Sequence, residues 1–202
     1  MKNAYYILIA LIIIPWIFIL IHIISKKKRI ARFYKQLTEK YGFTPGEAKE
    51  KKSKYLPLLS GAYRNRIVTV ESLRKETGGK KSDCTLVRVN INNNNNFEFL
   101  ITLNTKQNRL KYQNSEKTGD AEFDEKFILV SNNPELARQV LNFNTKFKLQ
   151  QAAALNFKGE VKLNGNIIDY EEPGLINSSA SLMRTELLLH ELCDIADELK
   201  YA

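Results

Sequence analysis

Cysteine and histidine are scarce in this chain, and each shortage closes off a class of function. The only cysteines are Cys84 and Cys193. They stand far apart, set no disulfide framework and fit a reducing compartment. Neither has a histidine near it in sequence to activate a thiolate, so both are expected as buried structural thiols. The histidines are His22 and His190 alone. The run His190-Glu191-Leu192-Cys193-Asp194 has the beginning of a zinc-helix signature, but the second histidine is missing. A phosphate loop is excluded as well. Gly78-Gly79-Lys80-Lys81-Ser82 lacks the glycine that should precede it and leads into a strand pattern, so it is a hairpin loop. No fixed-period repeat is present.

Charge is absent from residues 4–24 (AYYILIALIIIPWIFILIHII). As a helix this stretch would cover about 30 Å, the thickness of a hydrocarbon core, so a transmembrane anchor over residues 1–25 is the expectation. Pro15 would kink it, Tyr5 and Tyr6 would sit in an interfacial belt, and His22 would reach headgroups and water. The run exceeds a signal peptide's apolar core, and no small-x-small cleavage site follows it. Acids are missing next: Lys26, Lys27, Lys28, Arg29, Arg32 and Lys35 carry six positive charges with no acid among them. These six residues are the candidate contact for anionic lipid, and their position predicts a single-pass protein of the cell membrane with its C-terminal domain in the cytoplasm. They also account for most of the net charge of +9, so nucleic acid is not expected as a partner.

Residues 29–41 continue with an apolar stripe of Ile30, Phe33, Tyr34, Leu37 and Tyr41 at helical spacing, ended by Gly42. Residues 26–56 form a basic juxtamembrane helix and linker, the linker being the charged run 47–54. From residue 57 the pattern becomes strands. Residues 58–63 and 66–73 flank the turn pair Arg64-Asn65, and residues 84–91 and 97–103 flank five consecutive asparagines, read as a hairpin loop. A polar loop over 104–120 precedes a short strand at 127–130. Asn132 or Asn133 ahead of Pro134 and Glu135 opens a helix over 134–141, and a second helical piece is expected at 145–155. Asn164-Gly165 marks a hairpin between 159–163 and 166–170. Serines 178, 179 and 181 cap a terminal helix from about residue 182, with an apolar stripe of Leu188, Leu192, Ile195 and Leu199.

This order predicts an α+β fold: an N-terminal transmembrane helix followed by a mainly antiparallel sheet with helices packed on one face, the domain covering residues 57–202. Three elements carry a resemblance: Ser60-Gly61-Ala62-Tyr63-Arg64-Asn65-Arg66 on the first hairpin, Asp120-x-x-Phe123-Asp124-x-x-Phe127 leading into Val130-Ser131-Asn132, and the helix opening Pro134-Glu135-Leu136-Ala137. Together they resemble a family of uncharacterised bacterial membrane-anchored proteins with a domain of unknown function. The resemblance covers roughly residues 58–170, with Asn65 where glycine is usual. It implies a membrane-tethered α+β domain and transfers no catalytic residue.

Three clusters hold the remaining chemistry. Glu186, His190, Asp194 and Asp197 share a face of the last helix opposite its apolar stripe, where solvated charges belong. Glu116, Asp120, Glu122, Asp124 and Glu125 form an acidic neighbourhood without the ligand spacing of a calcium loop; Asp120 is expected to cap a turn while Phe123 and Phe127 close the core. Tyr63, Arg64 and Arg66 would suit an anion but are ordinary for a turn. No catalytic, cofactor or metal residue is assigned. The expected function is a non-enzymatic, membrane-anchored protein-interaction or scaffold module, its partners the lipid bilayer and another protein. The alternative is a small-molecule-binding or hydrolytic domain with a pocket between sheet and C-terminal helix.

Overall fold

A computed structural model describes residues 2–46, 57–77 and 79–200, and the side chains of these except 2–12 and 77. The expected linker at 47–54 lies outside the described residues. The chain begins with one helix, α1 (Lys2–Tyr41), which contains Pro15. Gly42 ends it at φ +68°, a left-handed conformation that favours glycine, and donates its N–H to the Thr38 carbonyl at 2.9 Å. The last third of α1 belongs to the folded domain: Ile30, Phe33, Tyr34 and Leu37 enter the main core. The Tyr34 hydroxyl lies 2.5 Å from that of Ser72, and burial pushes the Tyr34 phenol up to about 12.

The expected membrane span is corrected. Among the described residues no helix is long and apolar enough to cross a membrane. Of the expected span the described side chains are residues 13–24, and the basic cluster from Lys26 closes that apolar run on its C-terminal side. The side chains of residues 4–12, the rest of that stretch, lie outside the described residues. The transmembrane part of the fold, the single-pass cell-membrane location and the cytoplasmic orientation drawn from it fall with that correction. Lys26, Lys27, Lys28, Arg29, Arg32 and Lys35 are all exposed along α1, with Lys35 3.5 Å from Glu39 one turn on.

Among the described residues eight strands form one antiparallel sheet: β1 (Thr44–Pro45), β2 (Leu58–Tyr63), β3 (Arg66–Thr77), β4 (Lys80–Asn90), β5 (Phe99–Leu103), β6 (Phe127–Ser131), β7 (Glu160–Asn164) and β8 (Ile167–Pro173). Their spatial order is β1-β2-β3-β4-β8-β7-β5-β6. The β2–β3 turn is the expected one, with Arg64 and Asn65 at φ +49° and +61° and Tyr63 paired to Arg66. Thr77 pairs with Lys80 in the expected hairpin, with Gly79 at φ +76°. The asparagine run is not a hairpin loop. β4 and β5 do not pair, because the β7–β8 hairpin lies between them. The asparagines cross the end of that hairpin instead. Asn93 donates from its amide to the carbonyls of Phe97 and Gly165, at 2.9 and 2.8 Å, and Asn93 N–H donates to the Asn166 side chain at 3.1 Å.

Neither edge of the sheet is a bare ladder. At one end the two-residue β1 carries Pro45 and lies over β2; at the other, Glu116 bridges to Leu129 on β6. Most of the helices pack on one face: α3 (Ala121–Lys126), α4 (Pro134–Val140), α5 (Phe143–Ala154) and α6 (Ser179–Glu198), together with the end of α1. Asp120 caps α3, Asn133 caps α4 ahead of Pro134, and Ser178 and Ser181 close a capping box on α6. Val68, Val70, Val87, Val89, Ile168 and Tyr170 meet Leu188, Leu189, Leu192 and Ile195 in a filled core. The other face departs from the one-sided expectation. Within the supposed loop at 104–120 lies α2 (Lys106–Lys111), capped by Thr105, and Asn108 on it donates to Thr102 of β5 at 3.1 Å.

Candidate functional site

The four polar residues on α6 are gathered, but not as a solvated face. Each meets a partner from a different element. Glu186 pairs with Lys40 in the last turn of α1 at 2.9 Å. His190 stands between two phenols: its Nδ1 is 2.7 Å from the Tyr63 hydroxyl and its Nε2 3.1 Å from that of Tyr41. Asp194 accepts from Arg64 at the β2–β3 turn and from Lys148 on α5. Asp197 accepts from Arg66 at 2.7 Å, and Arg66 also donates to the Ala196 carbonyl at 2.7 Å. The arginines read as ordinary turn residues are thus bound to the helix acids read as a solvated face. Among the described residues no group of three or more histidines, cysteines or acids is placed to hold a metal ion.

The electrostatics follow from this packing. Burial lowers the pKa of His190, with Arg64 and Lys40 adding repulsion, so the neutral ring is favoured, one nitrogen donating to one phenol and the other accepting from the second phenol's hydroxyl. Burial opposes ionisation of Asp194, yet the bonds from Lys148 and Arg64 outweigh it and hold the carboxyl below its ordinary range. Glu191, fully buried one turn before Ile195, is pushed the other way by burial. The Lys148 ammonium lies 3.3 Å from its Oε2, in ion-pair range but outside hydrogen-bond geometry. The neighbouring thiol offers no nucleophile: Cys193 is fully buried and pushed up to about 11 by burial, and Cys84 is buried and also raised. The expectation of structural thiols holds.

The acidic neighbourhood is structural too. Asp120 accepts from the Phe123 N–H at 3.1 Å, Asp124 accepts from the Thr118 N–H and hydroxyl at 3.0 and 2.9 Å, and Phe123 and Phe127 are buried and stacked. On the opposite sheet face the charges form pairs across strands: Lys75 with Glu171 at 2.5 Å, Arg88 with Glu71 at 3.5 Å and Lys162 with Asp169 at 3.9 Å.

An open groove of about 520 Å³ lies where α1, α5 and α6 converge, lined by Lys40, Gln151, Ala154, Leu155, Met183, Glu186, Leu187 and His190. It is not the pocket anticipated between sheet and terminal helix, since that space is filled by the core. Farther along α5, Phe143 and Phe147 stack on each other with centroids 6.3 Å apart while remaining 79% and 48% exposed. The helix expected over 145–155 contains Phe147 but leaves out Phe143, so the pair does not show in it. Their spacing of four and their place off the buried face of Thr145, Leu149 and Ala152 were the available signal.

No family model matches the chain, and no curated protein matches it. A solved structure is similar: the crystal structure of the mycobacterial trehalose monomycolate transport factor A, with a TM-score of 0.52 at 12% identity, covering 87% of this chain and 95% of that one. At this identity the similarity concerns the fold alone.

Proposed function

We propose that the domain is a non-enzymatic interaction module that docks another protein through the outer face of α5, with Phe143 and Phe147 as the anchors. The observation that carries this reading is the exposure of two stacked aromatic rings on α5. Burying an exposed phenylalanine is favourable by roughly 1.5–3 kcal/mol, and aromatic anchors dominate protein interfaces. The sheet edges are blunted at β1 and β6, so strand addition is the less favoured mode. Catalysis would need titratable groups left open to a substrate, whereas Asp194, Asp197 and Glu186 each hold a cation and His190 is held by two phenols. The structural neighbour is titled a transport factor, a description that fits a binding role for this architecture.

The test is photo-crosslinking in intact cells from position 144, beside Phe143, with position 80 at the far β3–β4 turn as the control. The reading expects a discrete protein adduct from 144 and not from 80, lost in the Phe143→Glu, Phe147→Glu double variant. An adduct that persists in the double variant, or none from 144, sinks it.

A further inference from the structure

The groove at the end of α5 is a different surface from the Phe143–Phe147 face, and its lining is graded. Along α6 the positions Met183, Glu186, Leu187 and His190 fall on one side of the helix and span about 10 Å. At the Met183 end the wall is apolar: Met183, which is 55% exposed, with Ala154 and Leu155 at the close of α5. That end is fixed by Arg184, which donates to the Leu155 carbonyl and makes a two-bond contact with Glu172 at 2.7 and 2.9 Å. At the His190 end the wall is polar, with Lys40, Glu186, His190 and Gln151. A groove of about 520 Å³ falls within the range of small-molecule sites. Its polarity runs along its length, as an amphiphile's does.

The polar end also says which head group fits. Lys40 and Glu186 face each other at 2.9 Å and cancel, and His190 is neutral. Among the described residues that line the groove no unmatched charge is left to recruit an anion or a cation, and a charged head would have to break the Lys40–Glu186 pair. A head bearing hydroxyls can instead donate to Glu186 and accept from Lys40 and the Gln151 amide without displacing either. We infer that this groove binds a single alkyl chain carrying an uncharged, hydroxyl-bearing head. The thioether of Met183 gives the apolar end an adaptable wall for chains of different length. The inference does not rest on the protein-docking reading, since none of the groove residues is Phe143 or Phe147.

The chain has two methionines, Met1 and Met183, so methyl-labelled methionine gives one reporter in the groove and one far from it in sequence. The full-length protein is titrated with octyl glucoside below its micelle threshold, then with decanoate and decyltrimethylammonium. The inference expects a saturable shift of the Met183 methyl with octyl glucoside, about tenfold weaker for either charged amphiphile. Ala154→Trp and, separately, Gln151→Trp replace exposed residues of α5 and fill the groove. Each should abolish the Met183 shift while leaving thermal stability unchanged, whereas Phe147→Glu should leave the shift intact. A shift confined to Met1, a Met183 shift that survives both tryptophan variants, or tighter binding of a charged head overturns the inference.

Discussion

His190 Nδ1 lies 2.7 Å from the Tyr63 hydroxyl, joining residues 127 apart in sequence, and the same ring reaches Tyr41 on α1. One imidazole therefore ties together the end of the long helix, the tip of the first hairpin and the middle of the last helix. Because burial lowers its pKa, folding favours the neutral ring. The associated stability is complete above the unfolded value of about 6.5 and is lost as pH falls through the folded pKa. Urea denaturation at pH 7.5 and 5.5 should show a drop in stability that is reduced in His190→Gln. An unchanged pH difference in the variant would remove His190 from the account.

Lys148 serves two acids, the fully buried Glu191 and the half-buried Asp194. Lys148→Met should cost about 2 kcal/mol, less than for a fully buried pair because the lysine keeps some solvent contact. Glu191→Gln should be neutral or stabilising at pH 7, since folding already disfavours the charged form of that carboxyl, and in that background Lys148→Met should cost less. Denaturant midpoints for the four proteins of the cycle decide it, and strict additivity would break the link.

Arg184 and Glu172 are both buried and joined by two parallel hydrogen bonds. Arg184→Met leaves the carboxylate uncompensated and should cost about 3–5 kcal/mol. Arg184→Lys should recover little, because an ammonium cannot reproduce the forked contact. Thermal unfolding of both variants is the check, and full recovery by lysine would show that charge alone suffices.

A Cβ on Gly159 would sit 2.3 Å from the Glu171 carbonyl oxygen and 2.6 Å from Cε2 of Tyr170. The first neighbour is backbone of the paired strand and cannot step aside. Gly159→Ala should destabilise by about 1–3 kcal/mol through overpacking, whereas the same change at the solvent-facing Lys158 should be nearly silent. A Gly159→Ala protein as stable as the parent would mean that β7 and β8 shift apart at no cost.

Local signals carried most of the element boundaries. Gly42, Asp120, Asn133 and Ser178 each act within three or four residues of themselves, and the structure uses all of them. The asparagine run misled because a loop between two strands does not state whether those strands are neighbours; that was decided by a hairpin some seventy residues later, through Asn93 and Gly165. The α6 set misled for the same reason. Nothing near residue 194 in sequence announces that Arg64 and Lys148 will arrive there. Helix α2 was missed because its charged sequence has no buried residue, so it leaves no apolar period to read.

The placement of β7 and β8 between β4 and β5 sets the order in which the molecule can be assembled. Until residue 173 has left the ribosome, the strands made first stand as two separate ribbons, each with an open flank. Chains halted after α5 would be prone to stick to one another in that state, whereas arrival of the final hairpin and α6 closes the gap in a single late event. Synthesis stalled between residues 155 and 175 should therefore give more insoluble product than the completed chain.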